Sequence, residues 1–233
     1  MLNNPILVLG SKPESILPRV KFQKIYAANG AAELSNFYKK TNTNLKLICV
    51  AGTKSIDNLD EVRSRIINSN PDKLIVRFNE SKYSKELQDK CIIETINYND
   101  QWNFQKKFFY NPNFSLLIGE FSYKENLKKK IKKLIKFFLK KKFQGVSTGF
   151  FAILLALDEN PESEIVVSGI GMSGGGHFYK DSRDQGFNYD SRAAVDRYLI
   201  SKLKNEYKLR IFSVDEDFVR VSKTRLFNNN LKV

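Results

Sequence analysis

The residues best suited to chemistry fall in two stretches far apart in the chain. In the stretch from Gln144 to Tyr179, QGVSTGFFAILLALDENPESEIVVSGIGMSGGGHFY, the residues Ser147, Thr148 and Gly149 stand where a helix begins. A helix start offers unpaired backbone N–H groups and positive dipole character, which suits a phosphate or a carboxylate. Two hydroxyls add hydrogen-bonding groups, and the glycine lets a ligand come close. The one histidine, His177, follows a run of glycines beyond a strand end, so a role in proton transfer or phosphate contact stands beside a structural one. Near the N-terminus, Gly10 and Ser11 open the loop GSKPES after a short apolar run. That loop suits a phosphate or nucleoside, although it is neither the G-x-G-x-x-G fingerprint nor a P-loop. Asn29 ends a second apolar run, and its amide both donates and accepts; an ordinary Asn-Gly turn is the alternative.

These groups need a scaffold, and the hydrophobic pattern supplies one. The run Phe150 to Leu157 predicts a buried helix closed by Pro161, followed by a strand from Glu164 to Ser168 that ends in Gly169-Ile170-Gly171. Further strands are predicted at Ile6 to Leu9, Lys24 to Ala28, Leu45 to Val50, Lys73 to Phe78, Cys91 to Ile96 and Leu209 to Val214. Helices are expected at Asn58 to Asn68 and at Ser191 to Asn205, the latter with Ala194, Tyr198, Leu199 and Leu203 on one side. This βαβ rhythm predicts one α/β domain over residues 1–233, with a mostly parallel sheet and room for a small lid. In such a sheet a ligand lies beyond the carboxyl ends of the strands. The segment from Phe218 to Val233 ends in Asn228-Asn229-Asn230 and is expected to fray at its terminus.

Residues 97–143 form a basic helical insertion on the acceptor side in this scheme. Lys124 to Phe143 carries ten lysines around Leu127, Ile131, Leu134, Ile135, Phe138 and Leu139, which share one helical face. Three uses compete for it: a solvated helix whose apolar face is taken up by the core, a surface for anionic lipid or charged glycan, and a nucleic-acid patch without a named motif. The aromatic stretch Trp102 to Phe109 is suited to capping a cleft or packing into the core. Tyr83, Tyr98, Tyr110 and Tyr123 are suited to lining an acceptor cleft or, as the safer expectation, to packing in the core or at the surface.

With 39 basic and 25 acidic residues, the net charge of +14 points to acidic partners without selecting one. Cys49 and Cys91 lie in apolar surroundings without metal-ligand spacing, and they read as reduced packing residues in a cytoplasmic protein. No signal peptide is apparent, and Val146 to Leu157 is shorter than the roughly 18 residues a membrane span needs. The expected location is therefore the cytoplasm, with peripheral contact at the inner face of the membrane.

Five stretches resemble the sialyltransferases, most closely the compact bacterial enzymes that act on lipooligosaccharide. ILVLGSKPES resembles their first strand and glycine loop, and IYAANG the strand that presents a nucleotide-contacting asparagine. VSTGFFAILLAL with EIVVSGIGM is the most specific match, and HFY at His177 to Tyr179 and LISKLKNEYKLRIFSV follow in order. Residues 51–143 match poorly. The resemblance implies a Rossmann-like domain, a GT-A-like variant, with a CMP-linked donor of sialic acid or a related nonulosonic acid, a glycan or lipid-linked glycan acceptor, inversion, and no cofactor or metal. Asp215-Glu216-Asp217 is the nearest thing to a metal-binding acidic pair, and it reads as a turn.

By the same resemblance Gly10, Ser11 and Asn29 contact the nucleotide or its phosphate. Ser147, Thr148 and Gly149 hold the donor, Gly169 and Gly171 shape the cytidine pocket, and Tyr179 donates to the leaving phosphate. One departure is plain: at the family's catalytic-base histidine this chain has Ser191, beside Asp190. The base is then His177 or Asp190, or transfer is weak or absent. The alternatives are a degenerate CMP-binding relative without catalysis and a basic membrane or nucleic-acid binding module.

Overall fold

The computed structural model describes residues 5–13, 15–121, 126–138, 144–172, 177–178 and 189–228. Among these, eight strands form one parallel sheet: β1 (Ile6–Leu9), β2 (Lys24–Ala28), β3 (Lys46–Gly52), β4 (Lys73–Phe78), β5 (Ile92–Asn97), β6 (Ile165–Ser168), β7 (Ile211–Ser213) and β8 (Arg225–Leu226). The spatial order is β5-β4-β3-β2-β1-β6-β7-β8, so the chain builds outward from β1, crosses back, and builds outward on the other side. This is a single α/β domain of Rossmann-like design.

The helices are α1 (Asn36–Lys39), α2 (Thr53–Asn58), α3 (Asp60–Asn68), α4 (Ser84–Gln88), α5 (Tyr98–Lys106), α6 (Pro112–Phe121), α7 (Leu127–Phe138), α8 (Thr148–Glu159), α9 (Tyr189–Ser201), α10 (Asn205–Lys208) and α11 (Glu216–Ser222), with a 3-10 segment at Asn29–Ser35. Helices cover both faces, which explains why the inner strands read as near-continuous apolar runs, whereas the edge strands β5 and β8 are largely exposed. Leu7, Leu9, Ile25, Ala27, Leu47 and Cys49 pack on one face with Ile56, Val62 and Ile66. Ile6, Val8, Tyr26, Ile48, Val50 and Ile75 pack on the other with Phe150, Phe151 and Leu154 of α8 and Leu199 of α9.

Several expectations need correction. Sheet pairing continues to β8, beyond the last predicted strand, because Arg225 and Leu226 register against Phe212 and Ser213. The buried side of α9 is Ala193, Val195, Asp196, Leu199 and Ile200, leaving Ala194 and Tyr198 half-buried. Of its two expected places, the aromatic stretch takes the core: Phe108 and Phe109 are wholly buried, and Trp102 and Phe104 pack against the same cluster. The core does not consume the apolar face of α7: Leu127, Ile131, Leu134 and Ile135 are 74%, 50%, 36% and 53% exposed. Cys49 and Cys91 are free thiols, and burial pushes Cys49 up to about 12, away from reactivity. Among the described residues no helix is long and apolar enough to cross a membrane.

Candidate functional site

The strand order reverses at β1, whose neighbours are β2 on one side and β6 on the other. At the carboxyl ends of β1 and β6 two glycines meet. A Cβ on Gly10 would overlap the Gly169 carbonyl, and one on Gly169 would lie 2.5 Å from the Gly10 oxygen. Gly169 also has φ +77°, a conformation that side chains disfavour. Two backbone bonds fix the crossing: Gly10 N–H donates to Ser168 O at 2.8 Å and Lys12 N–H to Gly169 O at 2.8 Å. This seam is the topological switch point, where open parallel sheets bind ligands.

Asp215, expected in a plain turn, sits against this seam at the start of α11. Its carboxylate accepts from Gly169 N–H at 2.7 Å and lies 3.9 Å from Lys12 Nζ, which also donates to Asp217 at 2.8 Å. Burial raises the Asp215 carboxyl above its usual range, opposed by the Gly169 N–H and by Lys12. Asp215 and Asp217 thus fasten the ends of β1, β6 and β7 together.

Ser11 and His177, 166 positions apart, meet at the same edge. Ser11 Oγ and His177 Nδ1 are hydrogen-bonded, and the Phe178 N–H donates to Ser11 O at 2.9 Å. If Nδ1–H is the donor, Nε2 holds a lone pair and is fit to accept a proton. If the serine hydroxyl is the donor, Nε2 carries the proton and is fit to donate to a phosphate.

The start of α8 faces the seam through Gly149, where a Cβ would touch Ile170 at 3.3 Å. Ser147 caps the helix by accepting from Phe150 N–H at 3.2 Å. The loop before it is held by a buried polar clamp. Gln105 accepts from Val146 N–H at 2.9 Å, Glu120 from Gly145 N–H at 3.0 Å, and Asp196 from Ser147 N–H at 2.9 Å. Arg77 sits on the α8 face of β4, where the strand alternation calls for an apolar residue, and it is 0% exposed. It donates to Gln101 at 2.8 Å, to Val146 O at 3.0 Å and to Thr148 Oγ1 at 3.3 Å, with the Phe151 ring 4.4 Å from its guanidinium carbon. Burial lowers Arg77 to about 9, and the charge of Arg192 adds to this. Arg192 donates to Gly145 O and lies 3.8 Å from Glu120. Burial raises the Asp196 carboxyl, against the pull of Arg192 and of the hydrogen bonds from Ser147. Two guanidinium groups and two carboxyl groups, Glu120 and Asp196, thus brace the loop at the positive end of α8.

Asn29 follows β2, adjacent to β1, in left-handed backbone with φ 51°, and its buried Oδ1 has no hydrogen-bond partner among the described residues. Gly171 follows β6 and is half-buried. Ser11, Asn29, Ser147, Thr148, Gly149, Gly169 and Gly171 therefore share the carboxyl edge. Tyr179 lies outside the described residues, as does the Asp190 side chain, although the Asp190 backbone lies in the first turn of α9. Tyr83 stacks beneath Arg63, Tyr98 packs on Phe78, Tyr110 is exposed, and Tyr123 falls outside the described residues.

The sequence reading missed Arg77, Gln101, Gln105, Glu120, Arg192 and Asp196. One signal existed: Arg192 and Asp196 share the helical face of Val195, Leu199 and Leu203, where charged groups need buried partners. Comparison with known proteins adds nothing further, since no family model, curated protein or solved structure matches this chain.

Proposed function

We propose that this chain is an inverting glycosyltransferase that moves sialic acid or a related nonulosonic acid from a CMP-linked donor to a glycan acceptor without a bound metal. The observation that carries the reading is the meeting of distant segments at one sheet edge. The glycine loop after β1, Asn29 after β2, the start of α8 and the glycines after β6 are the segments that resemble sialyltransferases.

A CMP-linked donor has one phosphate, and the α8 N-terminus with Ser11 and Thr148 nearby suits its charge. The acceptor hydroxyl attacks the anomeric carbon, the bond to CMP breaks, and the phosphate leaves with the electron pair. His177 or Asp190 takes the hydroxyl proton. The hydrogen bond between Ser11 and His177 supports the histidine in either role, as base or as a donor to the departing phosphate. Calorimetric titration with CMP, UMP and GMP tests the reading. Saturable binding selective for CMP, weakened in Asn29→Ala, is the expected result; equal or absent binding of all three removes it.

A second reading rests on Asp190-Ser191 standing where the family has its base histidine. In it the chain binds CMP at this edge without turning over the donor.

A further inference from the structure

We infer that α7 is a membrane-docking helix that lies in the interface of an anionic bilayer. Leu127, Ile131, Leu134 and Ile135 fall within a stripe spanning about 100° of the helix, and all four are exposed. No other described element packs extensively against α7. The same 12-residue helix contains six lysines and no acidic residue. By helical position Lys128 borders one side of the stripe and Lys130 the other, while Lys132 extends the polar side.

An apolar stripe flanked by cations is the pattern of a helix whose side chains enter the acyl boundary while its ammonium groups meet anionic headgroups. Charge complementarity selects this occupant. A nucleic acid would use the lysines and leave the stripe in water. A second copy of the helix would set lysines against lysines. At about 18 Å long, the helix is suited to lie in the interface and is too short to cross it. The surface is independent of the chemistry proposed above, so donor turnover and vesicle binding test separate claims.

The experiment is flotation of the full chain with vesicles of phosphatidylcholine alone or with phosphatidylglycerol, at low and high salt. Binding is expected only with phosphatidylglycerol and is expected to weaken as salt rises. Ile131→Ser/Ile135→Ser keeps every charge and is expected to lose about tenfold or more in affinity. Lys128→Gln/Lys132→Gln keeps the stripe and is expected to lose about fivefold per lysine removed. Circular dichroism and thermal melting close to wild type show that each variant folds. Equal binding to both vesicle types, or serine variants that float like wild type, overturns the proposal. So does RNA binding or self-association without vesicle binding, which assigns the face to another partner.

Discussion

Gly10 and Gly169 stand backbone to backbone at the ends of β1 and β6, and neither position has room for a methyl group. The contact brings the loop carrying Ser11 against the strand end that leads to Gly171. Gly10→Ala and Gly169→Ala should each destabilise the protein by about 2 kcal/mol or more, read as a lower urea midpoint. Because the residues touch, the double variant should lose less than the sum. Strict additivity would mean that the two sites relax independently.

Arg77 should be essential to the start of α8. Arg77→Met leaves Gln101 Oε1 and Val146 O without their donor and should cost about 2–4 kcal/mol in urea unfolding. Arg77→Lys should not restore stability, since an ammonium cannot reproduce the guanidinium fork. Full rescue by lysine would show that charge alone matters there.

Ser147→Ala removes the acceptor for Phe150 N–H and should cost about 1 kcal/mol. A variant as stable as wild type in chemical denaturation would show that this cap contributes nothing.

Asp215 gives a pH signature. Its folded pKa lies above the usual 3.8, so the folded chain keeps a proton that the unfolded chain has already lost. The resulting stability is fully present below the unfolded value and is lost as pH rises through the folded one. Asp215→Asn lacks this dependence. Its unfolding free energy should therefore rise relative to wild type as the pH is raised from about 4 to about 8. Parallel profiles for the two proteins would contradict the assignment.

The sheet was legible because apolar runs such as Ile6 to Leu9 and Lys73 to Phe78 are bounded by Pro5 and Gly10 and by Asp72 and Asn79. Their burial on both faces needs no knowledge of what covers them. β8 left no such mark, since Arg225 and Leu226 are paired yet exposed. The carboxyl edge of the sheet was legible where small residues follow strands. The clamp behind it was hidden, because Arg77, Glu120 and Asp196 come from β4, α6 and α9 and only the fold makes them neighbours. In the sequence Arg77 is a single charge inside the apolar run Lys73 to Phe78. The exposure of α7 was equally invisible: an amphipathic pattern defines an apolar face without saying whether the domain supplies its partner.

The most direct test of the central claim is CMP release from CMP-sialic acid by the purified protein, with and without galactoside acceptors, in EDTA. Wild type, His177→Ala and Asp190→Asn are compared. Acceptor-stimulated, EDTA-resistant release that is lost in one of the two variants is the predicted result, and it identifies the base. No release by wild type, with CMP still bound in titration, would contradict the transferase and leave the non-catalytic binder; no CMP binding would remove both.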